Sequence, residues 1–574
     1  MNKDDIESAA SGPGAGLGRP EAEYLFSEDA ALDRMLLNVV GEVKQYADIQ
    51  ISHIRKLSEI GIALSYEKNI ERLLEQILDE ARLLAGADAG TLYMTNDTNG
   101  CLEFSIVQND TMKTRMGGTS GPITWPPVQL EKDGEPNYSN VSSYSAITGK
   151  IVNIPDVYEA EGFDFTGTRK FDSGTGYRSR SMLVIPMKNK DNETIGVLQL
   201  INALDPDTRN PIPFKSHEVD IIASLASQAA VAITNVRLYQ DLENLFDSFI
   251  QTIASAIDEK SPYTAGHIRR VQGLTMLIAG TMNSKTEGPF RDFNLNADEM
   301  KELSLAAWLH DIGKITTPEH VVDKSTKLEK VFDISELIRM RYEVMKREIK
   351  LQYFNDKIEH CQPSPSGEES PVITEEEYKL QINELDEEEK FILNCNQPGE
   401  FMDEAKLQRL KLIAAKRWDN EGQTIPYLTE DELYNLSIKK GSLNNEERKI
   451  IENHALVSYK MLNKLPFPKK LRRVPEFAGE HHEKLDGTGY PFGRKGEELS
   501  LQTRIIALAD VFEALTAPDR PYKKPMNLSQ ALKILDFMKK DKHLDADILD
   551  LFIGDKIYED YAKRELKPEQ LDCI

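Results

Sequence analysis

Apolar positions recur along most of this chain at steps of three and four, the spacing of one face of an α-helix. From Ala31 they fall at Leu32, Met35, Leu36, Val39, Val40 and Val43, and they resume at Ile54, Leu57 and Ile60. That predicts a helix over 31–65. It either packs on the next domain or pairs with a second copy, because periodicity alone does not separate the two. Ile70, Leu73, Leu74, Ile77 and Leu78 predict a further amphipathic helix. The period then changes. Residues 89–94 and 102–107 read as strands about a turn-rich stretch at 96–100. Residues 117–145, with many Gly, Pro and Ser, read as a long loop. Residues 181–187 and 194–202 read as two strands joined by the polar turn 189–192. Residues 66–236 are therefore expected to form an α+β module, an antiparallel sheet with helices, suited to a small-molecule sensor.

One long helical pattern runs over 218–257. Ile222, Leu225, Ala229, Ile233 and Val236 form a first stripe, and Leu242, Phe246, Phe249 and Ile253 a second. They join at Tyr239 with a three-residue step, a local break in heptad phase. No Gly or Pro lies between Glu218 and Lys260, so the pattern predicts a continuous linker helix, paired with a second protomer as a parallel coiled coil. The competing reading is two ordinary core helices meeting near Asp241. From about residue 250 to 574 the pattern is nearly all helical. Ser261-Pro262-Tyr263-Thr264 is able to cap a helix carrying His267, and residues 300–314 read as one helix. Residues of about 326–440 are strongly charged, with helical runs near 331–353 and 403–418 around a 362–367 loop. They read as a surface insertion, in which His360 and Cys361 lack partners for a metal site. Residues 1–30 are rich in Gly, Ala, Pro, Ser and acids and are expected to be disordered.

Composition narrows the function classes. At 574 residues the chain exceeds a single core. A formal net charge of −25 argues against a DNA or RNA polymer partner or an anionic membrane surface. It leaves room for a small anionic substrate in a cleft whose sign metal ions reverse. The four Cys are scattered without a CxxC, which fits a reducing cytoplasm. The most apolar helical stretch, 221–233, contains Ser224, Ser227 and Gln228, so no membrane span is expected. No signal peptide is visible after Met1.

The chemistry gathers around Trp308-Leu309-His310-Asp311-Ile312-Gly313-Lys314. A lone His-Asp pair is usually structural. Here the partners accumulate: of 10 His, five (His267, His310, His454, His481 and His482) stand where a metal reading wants them, together with Asp510. If Asp311 bridges two ions, His267, His310 and Asp510 complete one site and His454, His481 and His482 the other. A mixed imidazole and carboxylate set of this kind suits two iron or manganese ions rather than calcium or closed structural zinc. Lys314, one turn beyond His310, is placed to steady phosphate charge or protonate a leaving oxygen. Adjacent His481 and His482 converge on one metal only near a helix end. The following Asp486-Gly487-Thr488-Gly489-Tyr490-Pro491 is a loop by composition, and its glycines allow close backbone approach to a ligand.

Two resemblances follow from these motifs. Thr175-Gly176-Tyr177, Arg180-Ser181-Met182, residues 195–200 and Asn202 make the first module resemble the GAF domains of cyclic-nucleotide phosphodiesterases. Asn202 and Phe214 match their pattern and Glu218 stands at the first acid, while Ala203 occupies the Lys position. The ligand is left open, and a fold used for dimerisation is the alternative. The second half resembles an HD-GYP domain of the HD phosphohydrolase superfamily. The carrying residues are 310–314, His481-His482-Glu483, 486–491, and Asp510 with Arg520-Pro521-Tyr522-Lys523. The resemblance implies hydrolysis of cyclic di-GMP, to the linear dinucleotide or onward to GMP, with cyclic GMP-AMP as the alternative substrate. It implies that the seven ligands hold metal and that Lys314 contacts the scissile phosphate. It also implies that Arg520 and Lys523 hold phosphates, and that Gly489 and Tyr490 line the mouth or dock a partner protein. Tyr263 stands where three-metal members carry Glu, so two metals are expected. The 326–440 insertion exceeds the family's usual length, and Ala517-Pro518-Asp519 displaces Arg520. Other readings are a binding module that does not cleave and a phosphohydrolase for other nucleotides.

Overall fold

The computed structural model describes residues 30–260, 266–360, 373–420, 422–517 and 525–573. The N-terminal 29 residues, the Ser261–Thr264 cap with Tyr263, Cys361, the 362–367 loop, Arg520 and Lys523 lie outside the described residues. The chain divides into two compact units, residues 1–244 and 245–574.

In the first unit one helix spans Ala30–Tyr66. Leu57, Ile60 and Leu64 near its C-terminal end join the core, whereas Leu32, Met35, Val39 and Val43 stay exposed. The helix Ile70–Ala85 starts where the Asn69 side chain accepts the Arg72 N–H, and stops at Gly86 in a left-handed conformation. An antiparallel sheet follows. Its spatial order is Thr114–Gly117, Cys101–Asn109, Ala87–Asn96, Thr194–Leu204, Met182–Lys188, Val152–Ile154. Helices cover one face through Leu73, Ile77, Leu78, Ile222, Leu225 and Ile233, packed on Leu198 and Leu200. The other face builds a second, aromatic-rich cluster around Tyr93, Val141, Phe165 and Met182. The expected 117–145 loop is more ordered than its composition indicates. It holds two-residue strand pairs and the helix Val141–Thr148, capped by Asn140. Strands Thr114–Gly117 and Val152–Ile154 are too short for alternation to reveal them.

The helix Ser216–Asp258 is unbroken over 43 residues. By length and composition it passes as a bilayer-spanning helix. Its apolar N-terminal half is spent on packing: Ile222, Leu225, Ala226, Ala229 and Ile233 are fully buried. Farther along, Phe246, Ile250, Ile253, Ala254 and Ile257 join the core of the second unit, while Leu242 and Phe249 remain exposed. The second stripe therefore splits between two faces.

The second unit is predominantly helical. Its main core is formed by the helices His267–Asn283, Ala297–Leu309, Asn445–Leu462, Val474–Gly479 and Leu501–Thr516, closed by three helices between Leu528 and Glu565. Residues 300–314 do not form the single helix expected. The helix Ala297–Leu309 ends with His310 as its C-cap, and Ile312–Thr316 is a 3-10 turn. The reason is close packing at Gly313, where a Cβ would lie 2.0 Å from the His454 carbonyl oxygen. The insertion is a subdomain with its own core, including Leu328, Ile338, Tyr342, Leu385, Ile392 and Leu436. Besides helices Ser335–His360, Glu375–Cys395 and Glu404–Ala415 it carries a β-hairpin, Arg417–Asn420 with Gln423–Pro426. Gly422, at φ 85°, makes the turn and donates its N–H to Asp419 Oδ1 at 2.9 Å. The two ends of the insertion meet: Ser442 Oγ donates to the Lys324 carbonyl, and Lys324 Nζ is buried against both Glu447 carboxylate oxygens at 2.7 and 2.8 Å.

Candidate metal centre

Five separate segments bring the seven candidate ligands to one place. The central contact is local. Gly313 N–H donates to Ser458 Oγ at 2.9 Å, and that hydroxyl donates to the His310 carbonyl at 2.8 Å. This stitches the His-Asp turn to the helix Asn445–Leu462, which carries His454. The same helix begins with a capping box, Asn444 with Glu447, which fixes its start and hence the height of His454.

Asp311 faces both ways. Its Oδ2 lies 3.4 Å from His267 Nε2 and 3.3 Å from His310 Nε2, while its Oδ1 lies 3.3 Å from His454 Nε2. Asp510 Oδ1 joins the first side, 3.4 Å from His267 Nε2 and 3.9 Å from His310 Nε2. His481 and His482 follow the end of the helix Val474–Gly479 with ring centroids 4.0 Å apart. The helix end allows neighbours in sequence to point at one spot. The His482 ring lies 5.0 Å from that of His454. Two groups thus form, His267 with His310 and Asp311, and His454 with His481 and His482; within each, the ligand atoms lie within 4.8 Å of one another.

The ring tautomers are set from behind. His310 Nδ1 meets the Ala307 carbonyl at 2.8 Å, His481 Nδ1 the Ala478 carbonyl at 2.7 Å, and His454 Nδ1 the Ile451 carbonyl. A carbonyl accepts only, so each Nδ1 carries the proton and each Nε2 presents its lone pair. These buried Nε2 atoms of His310, His454 and His481, with Asp311 Oδ1, have no hydrogen-bond partner among the described residues. Unpartnered buried acceptors are costly, and a cation is what satisfies them. The donor set therefore fits divalent metal ions.

The carboxylates and two of the imidazoles stand in the ligating form, whereas His267 is held protonated and would give up its Nε2 proton to an ion. Burial favours neutral carboxyls, but Lys314 and His310 hold Asp311 well below the usual carboxylate range, and His267 does the same for Asp510. Burial opposes a charged His267; Glu513, Asp311 and Asp510 outweigh it and hold its pKa well above the usual value. Burial pushes His482 down to about 3 and His481 down as well, so both are neutral imidazoles. Neutral imidazole is the form that ligates.

Lys314 sits on the 3-10 turn rather than on the His310 helix, and its Nζ lies 2.6 Å from Asp311 Oδ2. Tyr490 packs on His482 with ring centroids 4.8 Å apart. Gly489 leaves no room for a side chain, since a Cβ would lie 2.4 Å from the Lys484 nitrogen and 2.5 Å from Glu483 Cα. Glu483 holds the rest of the loop: its carboxylate accepts the N–H groups of Phe492, Gly493 and Arg494 at 2.6, 3.1 and 3.0 Å.

Glu513 escaped the sequence reading. It is fully buried, with Oε2 2.5 Å from His267 Nδ1 and Oε1 accepting from Arg270 Nε at 2.7 Å. It anchors His267 as backbone carbonyls anchor the rings of His310, His454 and His481. The available signal was its position three residues after Asp510 on a helix, which puts both carboxylates on one face.

Family models match both units of the chain. A GAF domain model matches residues 69–233, and HD domain models match residues 264–390 and 402–548. The chain joins a GAF domain to an HD domain. Relatives include 3'3'-cGAMP-specific phosphodiesterase 3 of Vibrio cholerae serotype O1, 48% identical over 98 residues, which are 17% of this chain and 20% of that protein. A second is 3'3'-cGAMP-specific phosphodiesterase 1 of the same organism, 40% identical over 115 residues, 20% of this chain and 26% of that protein. A third is a cyclic di-GMP phosphodiesterase of Thermotoga maritima, 33% identical over 129 residues, 22% of this chain and 34% of that protein. The chain thus spans about a fifth to a third of the length of these curated relatives. Asp311 lies in the first HD segment and His454, His481, His482 and Asp510 in the second, with part of the insertion between them.

Proposed function

We propose that the HD domain is a metal-dependent phosphodiesterase that hydrolyses a cyclic dinucleotide, with cyclic di-GMP the first candidate substrate. The observation that carries this reading is Asp311, whose two carboxylate oxygens face two different imidazole groups. His267, His310, Asp311 and Asp510 would hold one divalent ion, and Asp311, His454, His481 and His482 the other. The mixed imidazole and carboxylate donors favour iron or manganese. Such a pair, when bound, polarises phosphoryl oxygens and lowers the pKa of water. Lys314, with 23% of its side chain exposed beside Asp311, would turn its ammonium to the scissile phosphate and steady its charge. Gly489 and Tyr490 would shape the mouth beside His482. Arg520 and Lys523 are proposed phosphate contacts on sequence grounds alone. The names of the two Vibrio relatives favour a second substrate, 3'3'-cGAMP.

The test is protein reconstituted anaerobically with Fe(II) or Mn(II) and incubated with each dinucleotide, the products being resolved by chromatography. Linear dinucleotide or GMP is expected. Both substrates remaining intact in metal-loaded protein would refute the enzyme and favour a binding module. Asp311→Asn is expected to lose both ions by elemental analysis and all turnover, since one carboxylate serves both groups.

We also infer that two protomers pair through the N-terminal and linker helices. On the linker helix Leu238, Leu242, Leu245 and Phe249 are 55–66% exposed at steps of four, three and four, an a/d seam with no partner among the described residues. The N-terminal helix exposes Met35, Val39 and Val43 in the same way. A ligand-dependent change in the GAF domain would reach the HD domain along the continuous helix Ser216–Asp258.

A further inference from the structure

The longest helix of the insertion, Ser335–His360, is apolar on two opposite faces. One face is covered. Ile338, Tyr342 and Met345 are buried in the insertion's own core, Ile349 packs against it, and the buried Tyr353 ring stacks on Tyr378 at 4.6 Å between centroids. The other face is bare: Leu337, Met340, Val344, Leu351, Phe354 and Ile358 are 44–65% exposed. A surface helix ordinarily carries one apolar stripe, and a second, contiguous one marks an interaction surface.

The spacing of the bare face points to the kind of cover. Leu337, Val344, Leu351 and Ile358 recur every seven residues, and Met340 and Phe354 each follow one of them by three. These are a and d positions over three heptads, a seam about 32 Å long at 1.5 Å per residue. Arg347 takes the remaining d position, with its Nε 3.8 Å from Glu343 Oε2. A polar residue within a seam specifies register at a cost in stability. Another helix with a matching seam is what closes such a face.

The charges beside the seam select the same helix of a second copy, running antiparallel. The g flank reads Glu336, Glu343, Lys350, Lys357, two acids followed by two bases at steps of seven. That row complements itself only when reversed. Antiparallel pairing sets Glu343 opposite Lys350 of the second copy and Glu336 opposite its Lys357, and the two-fold axis repeats both pairs. The same register sets Leu337 against Phe354, Met340 against Leu351 and Val344 against the stem of Arg347. Parallel pairing would instead set Glu343 against Glu348 and Lys350 against Asn355. Within one chain Glu336 lies 3.5 Å from Arg339 and Glu343 3.8 Å from Arg347, exposed pairs that contribute little and are easily exchanged. On the e flank Arg341 and Glu348 are engaged inside the insertion, by Glu432 and by the Trp418 indole N–H, so the g flank carries the choice.

We propose that the bare face of the helix Ser335–His360 pairs with the same face of a second copy of this chain, as an antiparallel two-helix coil. The contact is separate from the pairing inferred for the N-terminal and linker helices, and it does not depend on the metal centre.

The test uses the full-length chain carrying Cys361→Ser and Cys573→Ser, which leaves the buried Cys101 and Cys395. Met340→Cys together with Leu351→Cys in one chain is expected to give a disulfide-linked dimer on mild oxidation, read on a non-reducing gel. Eleven residues separate the two thiols of one chain by roughly 16 Å along the helix, too far to bridge each other. Met340→Cys alone and Leu351→Cys alone are expected to give no linked dimer, because antiparallel pairing holds each thiol roughly 16 Å from its counterpart. Glu343→Lys added to the double-cysteine chain should slow linkage several-fold, and Lys350→Glu added to that should restore it. All four substituted positions are exposed, so the fold is not at stake. Absence of a linked dimer from the double-cysteine chain overturns the proposal and leaves the seam to a different protein or another segment of the chain. Linkage in either single variant, the mark of parallel pairing, overturns it as well, and so does a linkage rate that Lys350→Glu fails to restore.

Discussion

Glu513 shows how one side chain governs another. It fixes His267 through Nδ1 and is itself held by Arg270. Removing the charge while keeping the shape, as in Glu513→Gln, leaves a neutral amide in that role. Metal affinity is expected to fall about 10–100-fold, the range for loss of a group behind a ligating histidine. Titration of the apoprotein with Mn(II) measures this, and unchanged affinity would make Glu513 a packing residue. Lys314 makes the opposite case. Its Nζ sits beside Asp311, yet ligation does not need it, so Lys314→Ala should keep both ions and lower kcat by roughly 10²–10³-fold. Steady-state hydrolysis with metal content measured in parallel separates the two effects. His267, His310, Asp311, His454, His481, His482 and Asp510 were singled out in the sequence because only 10 His occur and five of them stand in this half near motif positions, and the fold brings these candidates to one place. Glu513 was not, since its role depends on the helix Leu501–Thr516 packing against His267–Asn283.

At the scale of elements, the insertion behaves as a fold of its own. Arg341 forks onto Glu432 at 2.9 and 3.0 Å and also donates to the Tyr427 carbonyl at 2.8 Å. Burial raises the Glu432 pKa, but Arg341 and the Thr429 cap outweigh it and hold the carboxyl below its usual value. A folded pKa below the unfolded value, about 4.3, means the stabilisation is present above that pH. It is lost as pH falls through the folded value. Acid should therefore loosen the insertion before the metal-bearing core. Hydrogen exchange in the Glu430–Leu436 helix at descending pH checks this. Arg341→Met strands a buried carboxylate and should cost the subdomain about 3 kcal/mol, the low end for breaking a buried pair. Chemical denaturation measures it. The helices of this region were partly legible from their charge and period. The hairpin Arg417–Pro426 was not, because four-residue strands leave too little alternation to read.

At the scale of the molecule, the stripes on the long helix face different surroundings. Ile222, Leu225 and Ile233 are buried in the first unit, and Phe246 and Ile253 pack on the second, while Leu238, Leu242 and Leu245 stay exposed. If that seam pairs two protomers, replacing Leu242 and Leu245 with Glu should convert a dimer to a monomer in light scattering while helicity is retained. A dimer of unchanged stability would assign the pairing to the N-terminal helix alone.

Apolar spacing in the sequence sufficed for the α+β module, the helical second half and the helix joining them, and motif resemblance for the GAF and HD domains, because these depend on local period and short runs of residues. Folding decided which oxygen of Asp311 meets which imidazole and which apolar stripe is covered. Those outcomes depend on contacts between residues far apart in the chain, and no local pattern encodes the distance between them.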